Sequence, residues 1–207
     1  MKYEDVQSNE DVFRELRRRV SITRKGRIRA SKRLRKKHEY FEKVTHLYSL
    51  VVLILSVWFI NIPDQDLSLL VTKMLLILSL SLTFFTMFLG NKNYKERAGN
   101  FETNYQHLDV LLNKMDRIKT SGIEITTELN KGLHREYEKL LIEKENHHDI
   151  DYYTSSDDLI QIHRKKIKWF NFNERAIKII VAIYPLLLLI FIILINLAME
   201  NLIPKTP

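Results

Sequence analysis

Apolar residues in this chain are gathered into three long blocks, and the stretches between them are strongly polar. Residues 47–62 carry no charge, and residues 67–90 carry only Lys73, whose stem is long enough to reach a headgroup region. The third block, Ile179 to Met199 within an expected span of 177–199, is the most hydrophobic part of the chain. Blocks of this length match the hydrocarbon thickness of a bilayer. Only Pro63-Asp64-Gln65-Asp66 separates the first two, which leaves room for nothing but a tight reversal. The pattern therefore predicts a transmembrane helical hairpin over 46–90 and a third, C-terminal transmembrane helix, with a short tail at 200–207. Pro185 is compatible with that helix, because neighbouring groups in a membrane bundle can re-satisfy the carbonyl it frees.

The polar stretches carry a helical period of their own. In residues 1–45, Phe13, Leu16, Val20, Ala30 and Leu34 fall on one stripe, with Thr23 and Arg27 at intermediate places. After the hairpin, Tyr94, Ala98, Phe101, Tyr105, Leu108, Leu112 and Met115 recur at alternating intervals of 4 and 3, a coiled-coil-type seam. Ser121-Gly122 breaks this pattern, and a further helix is expected over about 124–146 with Leu129, Leu133, Tyr137, Leu140 and Leu141 on one side. Two antiparallel helices account for residues 91–175 most economically. The fold class expected is an all-α membrane protein: a transmembrane hairpin, a cytosolic helical bundle and a third C-terminal span.

Charge fixes the orientation. The net charge of +8 lies ahead of the first block, since residues 1–45 hold fifteen Lys/Arg against seven Asp/Glu while residues 91–175 hold fifteen of each. A surplus of Lys/Arg flanking a span marks its cytoplasmic side, and the basic run from His163 to Phe172 before the third block points the same way. The N-terminus and residues 91–175 are thus expected in the cytoplasm, with Asp64, Asp66 and the tail outside. A charge so placed is explained by a membrane flank, so no direct nucleic-acid partner is expected. The polar N-terminal stretch is too long for a signal peptide, so the first block reads as a retained anchor.

The chemistry of catalysis is missing. Without cysteine there are no thiolate ligands or nucleophiles, and the glycines at 26, 90, 99, 122 and 132 fit no phosphate-cradling loop. No enzyme activity and no cofactor are expected. The one dense group of His and carboxylates is Glu145, Asn146, His147, His148, Asp149 and Asp151 beside Tyr152; its spacing matches no recognised metal site, and helix termination explains it as well. In the second block, Thr72, Ser79, Thr83, Thr86 and Gly90 line up along one stripe of a helix. Such a stripe lines an aqueous path or packs membrane helices closely, and sequence leaves both open.

Residues 19–34 (RVSITRKGRIRASKRL), 93–112 (NYKERAGNFETNYQHLDVLL) and 137–152 (YEKLLIEKENHHDIDY), together with the hairpin, resemble the SLATT family of small bacterial membrane effectors associated with nucleotide-signalling SMODS and SLOG domains. The resemblance covers nearly the whole chain. Its third apolar segment departs from the two-span family name, as a subfamily addition or a tightly membrane-docked helix. The resemblance implies an inner-membrane, multi-pass effector of antiphage or conflict systems, triggered by a sensor or nucleotide-signalling partner to breach the membrane. Three spans cannot enclose an aqueous path alone, so a pore requires a homo-oligomer, for which the seam offers contacts. A non-conducting membrane scaffold that recruits a cytosolic enzyme is the alternative.

Overall fold

A computed structural model describes residues 2–60, 63, 65–143, 145, 146 and 148–202, with side chains for all of these except 2–7, 192 and 195–202. Seven helices and no strand are present among the described residues: α1 (Lys2–Trp58), α2 (Gln65–Asn91), α3 (Tyr94–Thr120), α4 (Thr127–Ile142), α5 (Asp149–Tyr153), α6 (Asp157–Ile162) and α7 (Arg164–Leu202). They fall into two compact units, Met1–Lys37 with Tyr94–Phe170 and His38–Asn93 with Asn171–Pro207.

The first unit is a bundle of the N-terminal part of α1 with α3 and α4. The α1 stripe expected from the sequence is its core-facing edge: Phe13, Leu16 and Val20 pack with Leu108, Leu111, Met115, Leu133 and Tyr137, while Ala30 and Leu34 pack with Ala98 and Phe101. Helices α1 and α3 run antiparallel, and a ladder of ion pairs sets their register. Arg17 meets Asp116 at 2.7 Å, Arg24 meets Asp109 and Arg35 meets Glu102, the three acids lying one heptad apart on α3. Helix α4 returns antiparallel to α3, with Lys114 on Glu136 at 2.6 Å and the Asn104 side-chain amide donating to Leu140 O at 2.8 Å. Its start is fixed by Gly122, which takes the left-handed φ of 64° needed to turn the chain, and by Thr126, whose hydroxyl caps the Leu129 N–H. The expected helix therefore begins at Thr127 rather than Glu124, and it ends at Ile142 rather than near Asn146.

The second unit holds the C-terminal part of α1, α2 and most of α7. Its centre lies at Leu78 and Pro185, both buried, and a small apolar cavity there is lined by Tyr48, Val52, Leu82 and Leu189 among others. Pro185 cannot donate to Val181 O, and its ring disturbs that turn of α7. The Tyr48 hydroxyl reaches the same turn but donates to Ala182 O, one residue beyond the carbonyl that the proline frees. Phe85 of α2 stands between Phe41 and Tyr184, with ring centroids 6.3 and 5.4 Å away.

Most of the apolar surface in this unit faces outward. Leu50, Leu53, Ile54 and Val57 of α1, Leu69, Leu76, Leu80 and Phe84 of α2, and Ile180, Leu187, Phe191 and Leu194 of α7 are all exposed. Two helical runs among the described residues are long and apolar enough to cross a bilayer, and their most apolar stretches are only 6% buried within the chain. A core helix of a soluble protein would be mostly covered. Exposed apolar surface on this scale is stable in lipid and not in water.

Candidate functional site

The segment that follows α4 is where the bundle concentrates its buried polar chemistry. Three residues after α4 ends, Glu145 presents its backbone carbonyl to Arg27 Nη1 and its carboxylate to Arg97 Nε, the latter at 2.8 Å. These two arginines, from α1 and α3, hold the segment in place of a further helical turn. Asp151, in the first turn of α5, is buried and accepts from Arg33 through both oxygens, Oδ1 from Nε at 2.9 Å and Oδ2 from Nη2 at 2.8 Å. Oδ2 also accepts from the His148 backbone N–H at 3.2 Å, which caps α5. A bidentate guanidinium and carboxylate pair of this kind is both stronger and more directional than a single ionic contact. Aromatic rings close the flank: Phe170 lies near His148 and under Arg33, and Tyr153 stacks on His163 with centroids 3.9 Å apart.

Arg27 is the unusual member. It is wholly buried, its guanidinium lies 5.2 Å from the Phe101 ring centroid, and its Nε and Nη2 groups have no hydrogen-bond partner. Burial pushes the guanidinium below its ordinary pKa range, opposed by the nearby Glu145 carboxylate and the Tyr137 phenol. The sequence showed Arg27 only as a filler in an apolar stripe; a cation at a core-facing position was itself the signal.

Of the cluster singled out from sequence, Glu145 and Asp151 are the anchoring residues, Asn146 and Tyr152 are exposed, and His147 lies outside the described residues. Both Asp151 oxygens are occupied by Arg33, so the carboxylate serves a structural pair. Arg33 and Arg97 were not among the expected site residues, because nothing local marks which of many arginines faces a distant acid.

The α3 seam is used within the chain. Ala98, Phe101, Leu108 and Met115 are buried, whereas Tyr94, Tyr105 and Leu112 are half-buried and the interior takes Asn104 and Leu111 as well. Because α3 packs against both α1 and α4, its buried stripe is wider than a two-helix seam and rotated toward 104 and 111.

The α2 stripe has a different setting. Thr72, Ser79, Thr83, Thr86 and Gly90 are all exposed in the chain. Thr72, Thr83 and Thr86 donate to the carbonyls of Ser68, Ser79 and Leu82, each four residues back, at 2.8 to 2.9 Å. At about 100° per residue the stripe is centred about 110° round α2 from Leu78, on the flank of the packing face.

No curated protein matches this chain, and no solved structure matches it. A family model does, across residues 9–199, a span that takes in the bundle, the hairpin and the whole of the third apolar block. A helical bundle and helices with exposed apolar side chains agree with that description, and the chain belongs to the SMODS and SLOG-associating 2TM effector domain family 5, a family of membrane effectors of conflict systems.

Proposed function

We propose that the protein acts without catalysis, as an inner-membrane effector of a bacterial antiphage or conflict system that assembles with copies of itself and permeabilises the membrane when a sensor or nucleotide-signalling partner triggers it. The observation that carries this reading is the α2 stripe: hydroxyl-bearing positions aligned on a lipid-length helix, all left uncovered by the chain's own packing. The threonines of the stripe already donate within the helix, so what they offer outward is a row of hydroxyl oxygens as acceptors on a face of small side chains, which suits a closely packed neighbouring copy or water. The third apolar block crosses the bilayer as well. Its exposed Ile180, Leu187, Phe191 and Leu194 demand lipid, and Tyr40 and Tyr48 of α1 tie α7 to a membrane-spanning helix by donating to Lys178 O and Ala182 O.

The bundle is the receiving end of the trigger in this reading, with the Glu145 to Asp151 segment as the part whose attachment to α1 can be altered. Reconstitution into dye-loaded liposomes, with a candidate sensor or nucleotide-signalling protein added, tests the proposal. Release that depends on protein and trigger is the expected result. A correctly inserted, oligomeric protein that never releases dye under triggering conditions would turn the reading to the non-conducting scaffold.

A further inference from the structure

The cations of α1 differ in their pairing in a way that composition alone does not show. Arg17, Arg24, Arg33 and Arg35 are paired with acids of α3 and α5. On the face of α1 that points away from the core, Arg14 and Arg18 are neutralised by Asp11 and Glu15 within the helix. Beyond Arg18 that neutralisation stops. Lys25, Arg29, Lys32 and Lys36 follow at intervals of 4, 3 and 4 residues, all four are exposed, and among the described residues none has a hydrogen-bond or ion-pair partner. At 1.5 Å per residue they form a straight ridge about 16 Å long, opposite the buried line of Leu16, Val20, Arg27 and Leu34.

We propose that this ridge binds a nucleic-acid phosphate backbone. Its successive steps along the helix are about 4.5 to 6 Å, against an axial rise of about 3.4 Å per phosphate in one strand of a duplex, a difference that long flexible side chains and an extended single strand can bridge. Three of the four are lysines, which act as point charges on phosphate without demanding a particular geometry, so the contact is independent of base sequence. A membrane surface fits less well. An amphipathic helix lying on lipid inserts an apolar face, and the apolar face of α1 is already buried against α3 and α4. A count of N-terminal charge treats all these cations as one flank; pairing, together with their place on one outward face of the first unit, distinguishes these four.

The test uses the full chain in nanodiscs of neutral phosphatidylcholine, so that lipid charge does not contribute, titrated with a fluorescent single-stranded 20-mer and its duplex. Four phosphate contacts give a slope of log K against log salt of about −3 for the single strand, an affinity loss of about 50-fold between 50 and 200 mM salt. The quadruple variant Lys25→Gln, Arg29→Gln, Lys32→Gln, Lys36→Gln should lose that slope while keeping its helicity. Substitution of the exposed Lys95 and Lys119 by Gln should leave it intact. Three results would overturn the proposal: no salt-dependent binding of either oligonucleotide, an unchanged slope in the quadruple variant, or binding that depends on these four cations but is seen only with anionic vesicles or an acidic peptide. The readout is binding, so it stands or fails apart from membrane permeabilisation.

Discussion

Arg33 and Asp151 lie 118 residues apart in the chain and meet through two nitrogens and two oxygens at 2.9 and 2.8 Å. The carboxylate is almost wholly withdrawn from solvent, its side chain 3% exposed against 25% for the arginine. The pair joins α1 to α5, and the same Asp151 caps the helix whose first turn it occupies, so one side chain fixes both the position and the direction of the segment after α4.

Arg33→Ala leaves a buried carboxylate with no cation, which costs about 3 kcal/mol or more. Thermal and denaturant unfolding of the detergent-solubilised protein should show the loss. Arg33→Lys should recover only part of it, because an ammonium cannot supply two parallel N–H donors. Equal stability of the alanine variant would mean that the segment is held by Glu145 alone.

Arg27 makes the opposite case. Its charge is buried beside Phe101 with two donors unpartnered, so Arg27→Met, which keeps most of the volume and removes the charge, is expected to leave stability unchanged or raise the unfolding midpoint by a few degrees. If the methionine variant is strongly destabilised, the donation to Glu145 O outweighs the burial of the charge.

The α3 seam divides by burial. Leu108→Asp places a charge in a fully buried position and should unfold the bundle, seen as lost helicity, whereas Tyr105→Lys at a half-buried position should cost no more than about 1 kcal/mol. Oligomer size in detergent, measured on the same variants, then tells self-association from folding. Dissociation by Tyr105→Lys with retained helicity would assign that edge to contacts between copies.

Ser79→Leu and Thr83→Leu act on the exposed flank of α2. In a conducting assembly they should block dye release while oligomer size is retained; at a packed interface the added bulk should disrupt assembly itself. Full flux through a correctly assembled Thr83→Leu protein would remove this flank as the path.

Topology follows from the basic flanks and the three apolar blocks. A periplasm-active reporter fused after Pro207 should be active and a cytoplasm-active one silent. The reverse result would leave α7 docked on the membrane rather than across it.

The sequence by itself determined what depends on residues a turn apart. The apolar blocks, the helical period of the bundle and the core stripe of α1 through Phe13, Leu16, Val20, Ala30 and Leu34 were legible because a helix writes its environment at i, i+3 and i+4. Family membership was legible for a related reason, since its marks are contiguous runs. Tertiary structure alone decided the rest. Which arginines meet Asp151, Asp109 and Glu145, which face is left unneutralised, and why α3 buries Asn104 and Leu111 beside its heptad positions all depend on helices brought together from distant parts of the chain. A charge carries no local sign of whether its counterion exists; only packing brings acid and base within reach or keeps them apart.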